Sequence, residues 1–192
     1  MKAIVLYYSQ TGNTEIIAKK IAKDFSCELV KIEPDIVYGG FLSSCARVIG
    51  DRLKKDLPTY VTEIPDLSEI DTVFVGFPIW AANVPDFVQA FLKDCDLDGK
   101  RVIPFATSRM TGIEGAVETL TIICGGASVE HPFFYSPRKK DNYKAWRAEV
   151  SAAPAEEAAE KTAAPAEEAA EEAAAEEAAP AEEAAEEAAP EE

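Results

Sequence analysis

Ala3-Ile4-Val5-Leu6-Tyr7-Tyr8-Ser9-Gln10-Thr11-Gly12-Asn13-Thr14 changes character halfway along. Residues 3–8 are a short apolar run, partly β-branched, the pattern of a strand covered on both faces. From Thr14 the period becomes helical. Ile17, Ile21 and Phe25, with Ala18 and Ala22, share one stripe while Glu15, Lys19, Lys20 and Lys23 face away. Glu15 and Lys19 have the i,i+4 spacing of a weak ion pair. Between strand and helix, Ser9 to Thr14 offer three hydroxyls, two amide side chains, a glycine that permits unusual φ, and the N–H groups of a helix start. Those N–H groups and the helix dipole attract an anion. No Lys or Arg is present, so the loop is not G-x-x-x-x-G-K-[ST], and the chain has no G-x-G-x-x-G. Neutral donors leave a phosphate monoester largely charged, which suits a resident cofactor better than a departing one. The plainer alternative is a polar turn with a hydroxyl-bearing helix cap.

The same alternation continues downstream. A second strand fits Glu28 to Ile32, and a looser helix follows Gly39-Gly40, with Leu42, Cys45, Ile49 and Leu53 at helical spacing. Pro58 and Pro65 hold an extended connection. Thr72 to Phe77 is the third strand, ended by Pro78. A helix begins near Pro85, a residue suited to a first turn, and buries Phe87, Val88, Phe91 and Leu92. Arg101 to Ala106 is the fourth strand, in which Pro104 weakens the ladder unless its missing N–H faces outward. Ile113 to Cys124 is helical and stops at Gly125-Gly126. Val129 to Tyr135 makes a fifth strand, and a last short helix buries Tyr143, Trp146 and Val150. Five alternations predict an α/β fold, a doubly wound five-stranded parallel sheet of order 2-1-3-4-5. Ligands bind such sheets at the carboxyl ends of the strands, where the order reverses. Loops 9–14, 78–83 and 107–112 lie there.

The chain's average composition, 192 residues with 47% apolar content, conceals two different polymers. Residues 151–192 comprise 20 Ala, 15 Glu, 4 Pro, Ser151, Lys161 and Thr162, so one Lys against 15 Glu gives a net charge of −14. The first 150 residues hold 18 basic and 20 acidic side chains, a net charge of −2, and every Gly, Cys, Met and aromatic residue. A 150-residue body is long enough for one buried core. The tail is not, because Ala buries too little area to offset chain ordering. Pro154, Pro165, Pro180 and Pro190 cut its Ala/Glu repeats into helices too short to persist alone. Solubility or spacing is the plain role for such a tail; steering towards a basic partner is the sharper one.

Several function classes are excluded on this reading. No apolar run approaches the ~18 residues of a membrane span, and Met1 to Tyr8 is too short for a signal peptide's apolar region. A near-neutral body with an acidic tail argues against nucleic acid as a partner. Cys27, Cys45, Cys95 and Cys124 lack C-x-x-C spacing and His131 has no histidine companion, so no metal site is expected. Reduced thiols in a cytoplasmic protein are the plain reading.

Tyr8-Ser9-Gln10-Thr11-Gly12-Asn13-Thr14 after an apolar strand resembles the phosphate loop of flavodoxins, the small FMN-binding electron carriers. Val75-Gly76-Phe77-Pro78-Ile79-Trp80 is similar to that family's third strand and first flavin loop. Asp98-Gly99-Lys100-Arg101-Val102-Ile103-Pro104-Phe105-Ala106-Thr107-Ser108 is similar to its fourth strand and second flavin loop. The resemblance spans about residues 2–136. It implies a flavodoxin-like FMN-binding domain over residues 1–150, followed by the low-complexity tail over 151–192. By position, Ser9, Gln10, Thr11, Gly12, Asn13 and Thr14 would hold the phosphate. Pro78, Ile79, Trp80, Ala81, Ala82 and Asn83 would border the isoalloxazine, with Trp80 stacking on or flanking it. Thr107, Ser108, Arg109, Met110, Thr111 and Gly112 would border it from the other loop. Trp146 is read as core.

The cofactor would carry the chemistry, so no catalytic acid or nucleophile is expected. The sequence departs from the family pattern twice. Ala81-Ala82-Asn83 stands where a glycine usually lets a carbonyl turn towards the flavin N5, and positive φ is costly for Ala and easier for Asn. Arg109-Met110 stands where many flavodoxins place an aromatic over the second ring face. The resemblance thus implies an electron carrier working with redox protein partners or a small redox substrate. An NAD(P)H-dependent FMN or quinone reductase is the alternative, and an interaction module that has lost the flavin is a third.

Overall fold

The structure, a computed structural model, describes residues 1–36, 59–138 and 141–152. The helix expected after Gly39-Gly40, the role of Pro58, Cys45 and the tail beyond Ala152 lie outside the described residues. Among the described residues six strands form one sheet: β1 (Ala3–Tyr7), β2 (Glu28–Lys31), β3 (Thr72–Pro78), β4 (Arg101–Thr107), β5 (Ser128–Val129) and β6 (Phe133–Tyr135). The order β2-β1-β3-β4-β5 is parallel throughout, with β6 also pairing β4. This is the doubly wound arrangement expected, with its reversal between β1 and β3.

Four helices cover the sheet among the described residues: α1 (Asn13–Phe25), α2 (Asp86–Asp94), α3 (Glu114–Ile123) and α4 (Tyr143–Ala152). One core lies on the α1 and α4 side, where Val5, Tyr7, Ile17, Ile21, Phe74, Phe105, Tyr143 and Trp146 are buried. The other lies on the α2 and α3 side, around Leu6, Val75, Phe77, Phe87, Phe91 and Leu120. The alternation along each strand produces this division: Phe74 and Phe105 point one way, Val75 and Ala106 the other. Glu15 and Lys19 make the anticipated ion pair at 2.6 Å on the exposed face of α1. Pro85 caps α2 rather than occupying its first turn.

Pro104 is accommodated by a gap in the sheet. β4 turns the backbone groups of Arg101 and Thr107 towards β3, so alternation turns those of Pro104 towards the far edge. There β5 pairs only with Arg101 and Val102, and β6 only with Phe105 to Thr107. The missing N–H therefore interrupts no ladder. The single fifth strand expected over Val129 to Tyr135 is corrected to these two short strands. His131, at φ 46, and the donor-less Pro132 break the run opposite the proline of β4.

The described cysteines are unsuited to nucleophilic chemistry. Burial pushes the Cys27 and Cys124 thiols up to about 11 and that of Cys95 to about 12, and all three are free. Among the described residues no cluster could hold a metal ion, and no helix is long and apolar enough to cross a membrane.

Candidate functional site

The chain leaves the sheet after Tyr8, whose N–H still bonds the Gly76 carbonyl at 2.8 Å. Burial pushes the Tyr8 phenol up to about 12, so it stays neutral. The next loop is built around Gly12, which takes φ 85 and ψ −14 as the residue capping α1. An L side chain in that left-handed conformation would cost about 1–2 kcal/mol. Gly12 also settles the question of the cap: the capping position is a glycine and makes no side-chain cap bond, so no hydroxyl-bearing residue caps α1. The first helical bond runs from the Ile16 N–H to the Gly12 carbonyl at 3.0 Å. The N–H groups ahead of it keep their capacity for an acceptor at the positive end of the helix dipole.

The hydroxyls of this loop are oriented by protein donors. Ser9 Oγ accepts from the Gly12 N–H at 3.1 Å, and Thr11 Oγ1 accepts from Asn13 Nδ2 at 3.0 Å. A hydroxyl owns one proton and two lone pairs. With a lone pair of each engaged, the protons of Ser9 and Thr11 remain to be donated outward. The loop is a set of neutral donors around a helix N-terminus, which is the chemistry of an oxyanion site.

The second loop closes as a tight hairpin. Trp80 and Asn83 exchange backbone hydrogen bonds of 3.0 and 2.9 Å, and Ala81 and Ala82 between them take φ 46 and φ 62. Two successive positive φ values define a type I′ turn. The ease of positive φ for Asn is not used: both left-handed positions fall on alanine, and Asn83 closes the turn instead, its Oδ1 accepting from the Val84 N–H at 2.7 Å. Trp80 secures the turn from below, 3% exposed, with its indole edge-on to Tyr8 and Phe87 at 5.5 and 6.2 Å. That leaves little of the indole accessible from the crevice, whereas Ala81 and Ala82 are exposed. Each left-handed alanine carries roughly 1 kcal/mol of strain. Ala82→Gly is accordingly expected to raise the melting temperature by about 1–3 °C, read by calorimetry. A fall would show the strain to be absent.

The third loop is folded on Ser108, whose Oγ accepts from the Met110 and Thr111 N–H groups at 3.3 and 3.2 Å. Arg109 is exposed and Met110 is 85% exposed. The three loops are physically joined. The Ile79 N–H donates to the Thr107 carbonyl at 3.1 Å, and the hydroxyls of Thr14 and Thr107 lie 2.8 Å apart in a buried contact. Two further residues support the loops and carry no motif of their own. The Tyr135 carbonyl accepts from the Ser108 N–H at 3.2 Å. Gly115, in the first turn of α3, lets the Ala82 carbonyl approach to 3.0 Å from where its Cβ would stand. A glycine inside a helix, about 1 kcal/mol poorer than alanine there, is the one sequence signal that could have pointed to this contact.

Comparison with known proteins shows the family and the fold. Residues 2–150 match the family model described as Flavodoxin. Among solved structures, a protein from Bacteroides uniformis classed as a flavoprotein is 27% identical, with 78% of this chain and 97% of that one covered and a TM-score of 0.65. A flavoprotein from Lactobacillus acidophilus NCFM in complex with FMN is 20% identical, with 69% and 91% covered and a TM-score of 0.59; at that identity it speaks to the fold. No curated protein sequence matches the chain.

Proposed function

The chain belongs to the flavodoxin family, and on that premise we propose that it is an FMN-binding electron-transfer protein that passes electrons between redox partners. The observation that carries this reading is the glycine-capped start of α1 with hydroxyl protons left to donate, tied by the Thr14–Thr107 contact to the third loop, which in turn bonds the second. Ser9, Gln10, Thr11, Gly12, Asn13 and Thr14 hold the phosphate. Pro78, Ile79, Trp80, Ala81, Ala82 and Asn83 border the isoalloxazine on one side, and Thr107, Ser108, Arg109, Met110, Thr111 and Gly112 on the other. Trp80 acts from beneath its turn, holding Ala81 and Ala82 against the ligand. Bound there, FMN supplies the electron chemistry, and the residues around it set how readily each redox state forms. The domain ends near residue 150, and the tail of net charge −14 steers the body towards a basic partner. Free thiols suit a reducing compartment, and we read the protein as cytoplasmic.

A second reading is favoured by the third loop. Arg109 and Met110 stand exposed where an aromatic cover would be, which suits access by a hydride donor and hence an NAD(P)H-dependent FMN or quinone reductase. Anaerobic mixing of the FMN-loaded protein with NADPH separates the two. An electron carrier keeps its yellow colour and accumulates a one-electron-reduced spectrum on photoreduction; a reductase bleaches. A preparation that stays colourless with FMN added contradicts both. For the carrier, Arg109→Ala is expected to lower the two-electron midpoint by less than ~30 mV, since 1.4 kcal/mol corresponds to ~30 mV and an exposed cation supplies less. An unchanged midpoint in a redox titration removes Arg109 from the mechanism.

A further inference from the structure

The alternation along β4 sends Ile103, Phe105 and Thr107 to the face covered by α1 and α4, where Ile103 and Phe105 belong to that core. Thr107 therefore points towards α1, not towards the turn at Ala81 and Ala82. Its hydroxyl lies 2.8 Å from that of Thr14, and the two side chains are 9% and 1% exposed. One of the two must donate, and proton counting distinguishes the directions. Among the described residues no second hydrogen-bond partner is found for the Thr107 hydroxyl. If Thr14 donates to Thr107, the Thr107 proton is left without an acceptor and the Thr14 proton is consumed inside the protein. If Thr107 donates to Thr14, both are used well: Thr14 accepts, and its own proton stays free to be donated.

We propose that Thr107 is a positioning residue of the phosphate site, donating to Thr14 so that the Thr14 hydroxyl is held as a donor to the phosphate. The arrangement repeats what Gly12 does for Ser9 and Asn13 does for Thr11: each hydroxyl of the loop accepts from a protein donor and keeps its proton for an anion. The third donor is distinct in coming from another strand, 93 residues away in sequence. A chain of hydroxyls polarises its terminal proton, which strengthens the last bond. Thr107, placed by family resemblance at the border of the ring, thus also serves the phosphate end of the ligand through its hydroxyl.

The inference rests on the proposed FMN site, and one set of titrations separates their fates. Full-length wild type, Thr107→Val and Thr107→Ser are titrated with FMN and with riboflavin by fluorescence quenching, with the melting temperature of each ligand-free variant recorded. The expected result is that Thr107→Val weakens FMN about tenfold and riboflavin less than twofold, while Thr107→Ser, which keeps the hydroxyl, stays within twofold of wild type for both. If valine is not accommodated in the buried site, Thr107→Ala is read in the same way. Equal weakening of both ligands, or of neither, overturns the positioning role while leaving the FMN site standing. A wild type that does not prefer FMN to riboflavin overturns the site itself and the proposal with it.

Discussion

Gly76→Ala is expected to lower stability by about 3 kcal/mol, a fall of roughly 6–12 °C in melting temperature for a domain of this size. A Cβ built at Gly76 would stand 2.1 Å from Cζ and 2.4 Å from Cε2 of Phe105. Phe105 is fully buried, and its register partner on the far side is Phe133, itself buried. The ring cannot withdraw without displacing the aromatic cluster on the α1 and α4 side, and close-packed interiors respond to such intrusion with strain. The same residue bears on the site, because its carbonyl takes the Tyr8 N–H immediately before the phosphate loop begins. Adding Phe105→Leu to the variant makes room for the new methyl. The double mutant should therefore be more stable than the sum of the single effects by at least ~1 kcal/mol. Additive melting shifts would mean that Phe105 is not what forbids a side chain at position 76.

The second large effect concerns the ligand. Replacing Thr11 and Thr14 together by Ala should weaken FMN at least about a hundredfold while changing riboflavin binding less than threefold. Each hydroxyl donates to a charged oxygen, a class of hydrogen bond worth about 1.5–3 kcal/mol, so losing two amounts to 3 kcal/mol or more. Riboflavin carries the same ring and ribityl chain without the phosphate, so it registers damage to the fold or to the ring-bordering loops but not to the anchor. Isothermal titration of both ligands reads the difference. Parallel weakening of the two would mean that these threonines support the loop rather than the phosphate.

Much of this was legible in the sequence because the determinants are local. The apolar run of residues 3–8, the helical stripe through Ile17 and Ile21, and the proline that ends β3 each announce an element without reference to the rest of the chain. The strand order then points to the loops at 9–14, 78–83 and 107–112, before any side chain is weighed. The unread features depend on contacts distant in sequence. The division of the fifth strand requires knowing that Pro104 lies opposite His131 and Pro132, three residues that no periodic pattern connects. The type I′ turn on Ala81 and Ala82 defies local propensity, and what holds it is Trp80 packed on Tyr8 and Phe87 together with the room left at Gly115. Position along the chain places Trp80 at the crevice, but its edge-on packing against Tyr8 and Phe87 is not announced there. The Thr14–Thr107 contact joins residues that seemed to belong to different ends of a ligand.

The central claim is that a phosphate rests on uncharged donors at the start of α1. It is tested most directly by a crystal structure of the protein grown with FMN. The phosphorus is expected at the first turn of α1, with the hydroxyl oxygens of Ser9, Thr11 and Thr14 each within about 3 Å of a phosphate oxygen. A phosphate lying in solvent, with those hydroxyls turned back into the protein, would contradict it.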